Sequence, residues 1–436
     1  MSPAAPFHPP RDSALDALRG LAVFGMVLSG SVGFGAQAGL PAWMYHVQVP
    51  PPLHKFDGSI PGISWVDLVF PMFLFALGAA LPLALRGQTG VAVAWTAVRR
   101  GALLLFLALV THQFKNQGLL SLAAFGLLGL MLVRRVPYWG RVLAGVAVLG
   151  LWSHLGITTK NDIILAVLAV MACVGTLIWG VTRVGSGREP WRWALLVAVV
   201  AVMLAPPTAW TRGLQATPAP WAYQFVFLKY LLIVVPGMAV GEGLLRVGRD
   251  ACGCSAAAGV DRLLPSIALT LVCSNLTLLY LRESGWNFAL SAALLAWGAV
   301  RVRREEGFVS QAWSLAAGLL MLGLLLEPLQ GGIRKDPSTF SYLVVTAALS
   351  LLLLLALQGV RGPLREGLAG LGRNPLLAYV VGSLCLLPLL HLGGLHAAWT
   401  GLAAGPALSL LKGLLFTVAG VLLTLGANRL GWVWRA

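Results

Sequence analysis

The chain has 436 residues, of which 58% are hydrophobic and only 11% charged, with a mean hydropathy of +0.83. So apolar a composition excludes a water-soluble globular enzyme and implies a surface that meets lipid over much of its area. The net charge of +16 does not indicate nucleic acid as a partner, because the basic residues lie in short clusters between apolar runs, as cytoplasmic loop anchors do.

Residues 1–13 read as a short cytoplasmic tail, polar and Pro-rich and carrying His8. No cleavable signal peptide is expected, since the first apolar run lacks a small-residue cleavage site after it. About fourteen apolar runs follow, near the ~20 residues needed to cross ~30 Å of hydrocarbon. They span 14–35, 62–85, 98–113, 118–134, 140–156, 162–182, 192–207, 225–246, 259–281, 286–301, 312–329, 339–359, 374–394 and 406–430. Three of them, 98–113, 140–156 and 286–301, are the weakest. The expectation is an all-α polytopic transmembrane bundle of about 11–14 helices, with 14–436 as a single membrane domain, no dividing linker and no tandem repeat. Low-complexity stretches such as Leu349 to Leu357 read as lipid-facing helix.

Orientation follows from the basic residues. Arg86, Arg99, Arg100, Arg134, Arg135, Arg183, Arg301, Arg303, Arg361 and Arg365 fall in or beside alternate loops, so positive-inside reasoning places these loops and both termini in the cytoplasm. The expected location is the cytoplasmic (inner) membrane, and the loop carrying His46 and His54 then faces outward.

Residues 54–78, HKFDGSIPGISWVDLVFPMFLFALG, place a His just outside and Asp67 just inside an apolar run. An intramembrane carboxylate is costly and marks a functional-site candidate. The plain alternative is that Asp67 caps the helix by accepting from free N–H groups of the first turn. A second concentration of polar groups lies on the same expected face, where Glu327 leads through Arg334, Lys335, Asp336, Ser338 and Thr339 to Tyr342. This stretch reads either as a solvated turn that caps the next helix or as a basic, hydroxyl-rich patch for an anionic or sugar-like ligand at a helix N-terminus. Lys229, Asn374 and Tyr379 add polar groups at helix ends, although a lysine such as Lys229 commonly snorkels to the interface.

The five cysteines, Cys173, Cys252, Cys254, Cys273 and Cys385, supply neither a disulfide framework nor a metal site. Most stand in apolar helices as small hydrophobes, and the Cys252-Gly-Cys254 pair lacks the further Cys or His ligands of a structural zinc site. His112, His154, His391 and His396 lie near helix ends and read as interfacial.

The order of motifs resembles the bacterial relatives of heparan-α-glucosaminide N-acetyltransferase, a family of polytopic membrane acyltransferases. The resemblance runs through Asp12-Ser-Ala-Leu-Asp-Ala-Leu-Arg-Gly20, the Asp-Leu-Val-Phe-Pro core that begins at Asp67, Phe227-Leu-Lys-Tyr, Pro236-Gly, the stretch from Gly332 to Tyr342, and Gly372-Arg-Asn-Pro-Leu-Leu-Ala-Tyr379. It implies a catalytic His in the first outer loop, assisted by the motif Asp, and these roles fall on His54 and Asp67. The interval between them is longer than the family pattern, and Phe56-Asp57-Gly58 stands where Trp-Asn-Gly is usual, so His46 is retained as a second candidate base. The chemistry fits imidazole, whose unperturbed pKa of about 6.5 suits removal of a proton from an attacking amine. A nucleophilic His that forms an acyl-imidazole is the competing mechanism.

The function expected from these features is transfer of an acyl group, acetyl by resemblance, from cytoplasmic acetyl-CoA to an outward-facing small-molecule or glycan acceptor, with membrane lipid as the surrounding partner and no metal. The acceptor-side candidates are Lys229, Arg334, Lys335, Asp336, Ser338, Tyr342, Asn374 and Tyr379. No Gly-rich phosphate loop identifies the coenzyme A pocket. The alternative is a transporter or flippase for a sugar or lipid-linked substrate, with Asp67 and Lys229 in its pathway and Pro71, Pro82 and Pro236 as helix breaks. Oligomeric state is left open, a homodimer included.

Overall fold

Each apolar run contains a helix in the computed structural model, which describes residues 12–156, 158–250, 263–303, 307–402 and 404–435. In chain order the helices are α1 (Ser13–Ser31), α2 (Trp65–Ala84), α3 (Val91–Phe114), α4 (Leu119–Leu132), α5 (Tyr138–Leu155), α6 (Ile163–Thr182), α7 (Glu189–Leu204), α8 (Ala209–Gln215) and α9 (Leu231–Asp250). They continue with α10 (Leu264–Leu281), α11 (Ser284–Val302), α12 (Phe308–Leu329), α13 (Phe340–Gly359), α14 (Pro363–Gly372), α15 (Pro375–Val381), α16 (Leu387–Leu392), α17 (His396–Gly401) and α18 (Pro406–Arg429). A π-turn at Gly382–Leu386 joins α15 to α16, so the two continue as one apolar segment. Among the described residues no strand forms, and the architecture is an all-α polytopic bundle.

Among the described residues, ten helical segments are long and apolar enough to cross a membrane, and α7 with α8, bent by 119°, would make an eleventh. The remaining runs fall short for visible reasons. Helix α4 has only 14 residues, while α5 carries Arg141 and His154 and α11 carries Asn287 and Arg301. Cys252 and Cys254 lie outside the described residues.

Capping residues set where the helices begin. Asp12 Oδ1 accepts from the Ala14 and Leu15 amides at the head of α1, and Asp162 does the same for Ile164 and Leu165 at the head of α6. These bonds satisfy amides that the helix itself leaves free.

The helices approach one another through small residues. Between α2 and α9, a Cβ added at Gly78, Gly237 or Gly241 would overlap a backbone oxygen of the facing helix: Val234, Phe75 and Ala79 respectively. Between α1 and α14, Gly20 meets Leu368 O and Gly372 meets Asp16 O in the same way. Helices in lipid gain little from hydrophobic burial against each other, so backbone contact of this kind supplies much of their packing. A second tie joins α7 to α9: Arg192 donates from two nitrogens to the two Glu242 oxygens at 2.8 and 2.9 Å, and also to Thr182 O.

Helix α13 corrects the reading of its leucine run. Leu349 to Leu357 does not face lipid but is buried throughout, because α1, α2, α9, α10 and α12 pack around α13. A helix that is apolar on every side suits the centre of a bundle as well as its rim, and pattern alone cannot separate the two. Its hydroxyls are satisfied internally, Thr346 donating to Tyr342 O and Ser350 to Thr346 O, each at 2.7 Å.

The packing yields a direct expectation. Gly241→Ala should lower the detergent-solubilised melting temperature by the equivalent of about 1–3 kcal/mol of overpacking, whereas Gly318→Ala on α12, where an added Cβ meets nothing within 4 Å, should not. Equal melting temperatures for the two variants would contradict the close α2–α9 contact.

Candidate functional site

The site forms where the α1–α2 loop meets the α12–α13 loop. The long first loop has no helix longer than a 3₁₀ turn, and side-chain and backbone bonds pin it instead. Buried Tyr45 donates from its hydroxyl to Gly33 O at 2.5 Å, and Ser64 Oγ donates to Tyr45 O at 2.7 Å. Gln48 clamps the second loop, its Oε1 accepting from the Asp336 amide at 2.9 Å and its Nε2 donating to Asp336 O at 2.5 Å. The Gly62 amide adds a bond to Ile333 O at 2.7 Å.

Asp67 sits at the centre, its side chain only 3% exposed. Its two oxygens do different things. Oδ2 accepts from the Ser64 amide at 3.0 Å and the Val47 amide at 3.4 Å, completing a capping box at the head of α2. Oδ1 faces His46 Nδ1 at 2.7 Å. A carboxylate only accepts, so this contact places the ring proton on Nδ1 and leaves a lone pair on Nε2. The Asp67 carbonyl in turn accepts from the hydroxyl of fully buried Tyr342 at 2.7 Å, which fixes the first turn of α2 against α13.

Lys335 completes the cluster. Its Nζ lies 3.1 Å from His46 Nδ1, 3.4 Å from Nε2 and 3.8 Å from Asp67 Oδ1. Burial lowers the Lys335 pKa from the ordinary lysine value, while Asp67 and then Asp336 pull it part of the way back. The His46 side chain is 39% exposed and that of Lys335 is 23% exposed, so the cluster is open on one side.

The pairing of His54 with Asp67 is not what the chain adopts. Asp67 bonds His46, while His54 packs edge-on against Tyr45 at 4.5 Å and Phe34 at 5.2 Å between ring centroids. Both His54 ring nitrogens are buried without a protein partner, and the residue has a φ of +48°, in the left-handed region. The loop folds back on itself, which brings the more distant His46 over the head of α2 and turns His54 toward the aromatic pair.

The other expected residues divide. Asp336 is exposed and is a carboxylate felt by both Lys229 and Lys335, and Lys229 Nζ lies 5.5 Å from the Tyr230 ring centroid. Arg334 donates to Gln330 O at 3.2 Å. Ser338 is half-buried, with its hydroxyl oxygen shut off from solvent. Asn374 is not part of this assembly: it ties α15 to the end of α18, donating to Asn428 Oδ1 and Trp432 O and accepting from the Trp434 amide. Tyr379 donates to the Asp162 carboxylate at the head of α6. Gln48, Ser64 and Tyr45 were not singled out from the sequence. Ser64 was the most visible of them, since Ser-x-x-Asp at the head of an apolar run is close to a capping-box spacing.

Further along α2, a cavity of about 200 Å³ opens between α1, α2, α3, α6 and α15. Its walls are apolar, including Phe73, Leu77, Ala80, Leu104 and Leu168, and Arg19 and Arg100 bring two guanidinium groups to it. Phe73 is six positions beyond Asp67, about 9 Å along the helix at 1.5 Å per residue.

Residues 11–244, more than half of the chain, match the family described as Domain of unknown function (DUF5009). The chain belongs to this family. The match takes in His46, His54, Asp67 and Lys229, whereas Lys335 and Tyr342 lie beyond it. No curated protein matches the chain.

The geometry separates Asp67 from His54 by stability. Asp67→Ala strands the buried Ser64 and Val47 amides, a loss of about 1–3 kcal/mol for each buried group left unsatisfied. His54→Phe forfeits no hydrogen bond to the protein and keeps the aromatic packing. Thermal denaturation in detergent should show a clear drop for Asp67→Ala and little change for His54→Phe. A comparable drop for both would contradict this placement of His54.

Proposed function

We propose that the protein is a membrane acyltransferase that moves an acyl group, acetyl by family resemblance, from a coenzyme A thioester to an amine or hydroxyl acceptor on the opposite face of the membrane. The observation that carries the reading is the His46–Asp67 pair, with its 2.7 Å contact, exposed imidazole and buried carboxylate. A base held in one tautomer by a buried carboxylate is the arrangement that proton removal from an attacking nucleophile requires.

In this reading His46 takes the role that the resemblance implied for His54, because Asp67 reaches His46. Nε2 accepts the acceptor's proton, Asp67 holds the ring and stabilises its protonated form, and Asp336 and Lys229 line the acceptor's approach. The loops rich in Arg are cytoplasmic by the positive-inside rule, so the dyad faces outward. The apolar cavity with Arg100 then suits the donor, since a guanidinium pairs with phosphate and apolar walls with an acyl arm, while Arg19 at the same cavity is held by Asp16 at 2.9 Å. Transport is the less favoured reading: although α2 contains Pro71 and Pro82, it packs backbone to backbone against α9, which does not suit two elements that slide past each other.

The test is release of free thiol from acetyl-CoA by the purified protein, with glucosamine as acceptor. Thiol release should require both protein and acceptor, and His46→Ala should reduce it by about 10²- to 10⁴-fold, the usual contribution of a positioned base. His54→Phe should retain most of it. Sugar uptake into vesicles without thiol release would replace this reading with the transporter, and loss of turnover in His54→Phe but not in His46→Ala would return the base to His54.

A further inference from the structure

Lys335 stands closer to the base than an acceptor-binding residue needs to. Its Nζ is almost equidistant from the two ring nitrogens of His46, at 3.1 and 3.4 Å. An in-plane position between those nitrogens would collide with Cε1, so the ammonium lies over the face of the ring. The imidazole lone pair lies in the ring plane. Lys335 therefore does not occupy the Nε2 lone pair that a base must keep free, and its charge nevertheless sits immediately beside that atom.

The lysine is also held in place. Its neighbour Asp336 is clamped through both backbone amide groups by Gln48, and Ile333 is bonded by Gly62. Asp67 Oδ1, at 3.8 Å, lies on one side of the ammonium. Beyond these contacts, no acceptor among the described residues takes its remaining protons, and the group is partly exposed on the open side of the dyad. A fixed cation with free donors, next to the atom that receives a proton, marks where negative charge is to be stabilised.

We propose that Lys335 is a catalytic residue whose ammonium donates to the carbonyl oxygen of the acyl donor as that oxygen becomes an oxyanion. This rests on the acyl-transfer reading above and gives a role to a residue to which that reading assigns none. The acceptor nitrogen forms a bond to the thioester carbonyl carbon, the carbonyl π pair moves to oxygen beside Lys335, and the nitrogen's proton passes to His46 Nε2. When the oxyanion re-forms the carbonyl, the carbon–sulfur bond breaks and the departing thiolate takes the proton back from Nε2. The products are an amide and a free thiol, with both side chains returned to their starting state.

The experiment compares wild type, Lys335→Met and Lys335→Arg in the same thiol-release assay with acetyl-CoA and glucosamine, over a range of pH. Lys335→Met should lower kcat by about 10²- to 10³-fold, the scale for removing one oxyanion donor, with the KM values for both substrates little changed. Lys335→Arg should recover part of the loss. The sign of the pH effect follows from the ammonium being the active form. Activity is retained at neutral pH and falls as the pH rises through the Lys335 pKa, which burial places below the ordinary lysine value. That alkaline limb should be absent in Lys335→Arg, whose guanidinium stays charged. A raised glucosamine KM with unchanged kcat in Lys335→Met would make Lys335 an acceptor-binding group only, and unchanged kinetics would exclude any role; either result overturns the proposal while acyl transfer stands. Wild-type protein that releases no thiol would overturn the acyl-transfer reading, and this role with it.

Discussion

The carboxylate of Asp67 is the constraint on which the site depends, because its two oxygens join the start of a membrane helix to a loop that lacks regular structure. Oδ2 caps α2 through the Ser64 and Val47 amides, and Oδ1 holds His46. A buried charge is tolerated only when its lone pairs are satisfied, and here the acceptors of one group are shared between fold and site. Cap and orienting carboxylate, which stand as alternatives at the level of sequence, are both present in one side chain. The consequence is economy of position: any shift of the α2 terminus also moves the imidazole.

The rest of the bundle supports this arrangement from below. Tyr342, on the central helix α13, bonds the Asp67 carbonyl, and α13 is surrounded by five other helices. Helix α2 is set against α9 by glycines that admit no Cβ, so neither its height nor its rotation has much freedom. The site thus couples an irregular loop to rigid elements, the condition for holding side chains within a fraction of an ångström. The loops themselves are joined by Gln48, which reads the backbone of Asp336 as a neighbouring strand would.

The helices were legible because an apolar run of sufficient length has few alternatives in lipid, and Asp67 because a carboxylate in such a run is conspicuous. The identity of its partner was not. The family resemblance points to His54, which is also nearer to Asp67 in sequence, but the Pro-containing loop reverses direction and delivers His46 instead. Gln48 carried no signal, since one Gln in an irregular loop has no periodicity or spacing to mark it. Lys335 and Tyr342 were visible as part of a dense polar stretch, and only the fold shows that this stretch lies over the head of α2. Asn374 looked similar in sequence and holds the end of α18 instead, because a polar residue at a helix end serves packing as readily as chemistry. The leucines of α13 read as lipid-facing for a related reason: their pattern has no polar face from which to read direction.

The central claim is that His46 and Asp67 act as one unit in a single proton-transfer step. A double-mutant cycle on kcat tests it most directly, with His46→Ala, Asp67→Asn and the combined variant measured in protein shown by melting to be folded. Groups that share a step are grossly non-additive, so the double variant should be little slower than His46→Ala alone. A double variant whose loss equals the product of the two single losses would contradict the account, because it would mean that the carboxylate and the imidazole contribute to different steps.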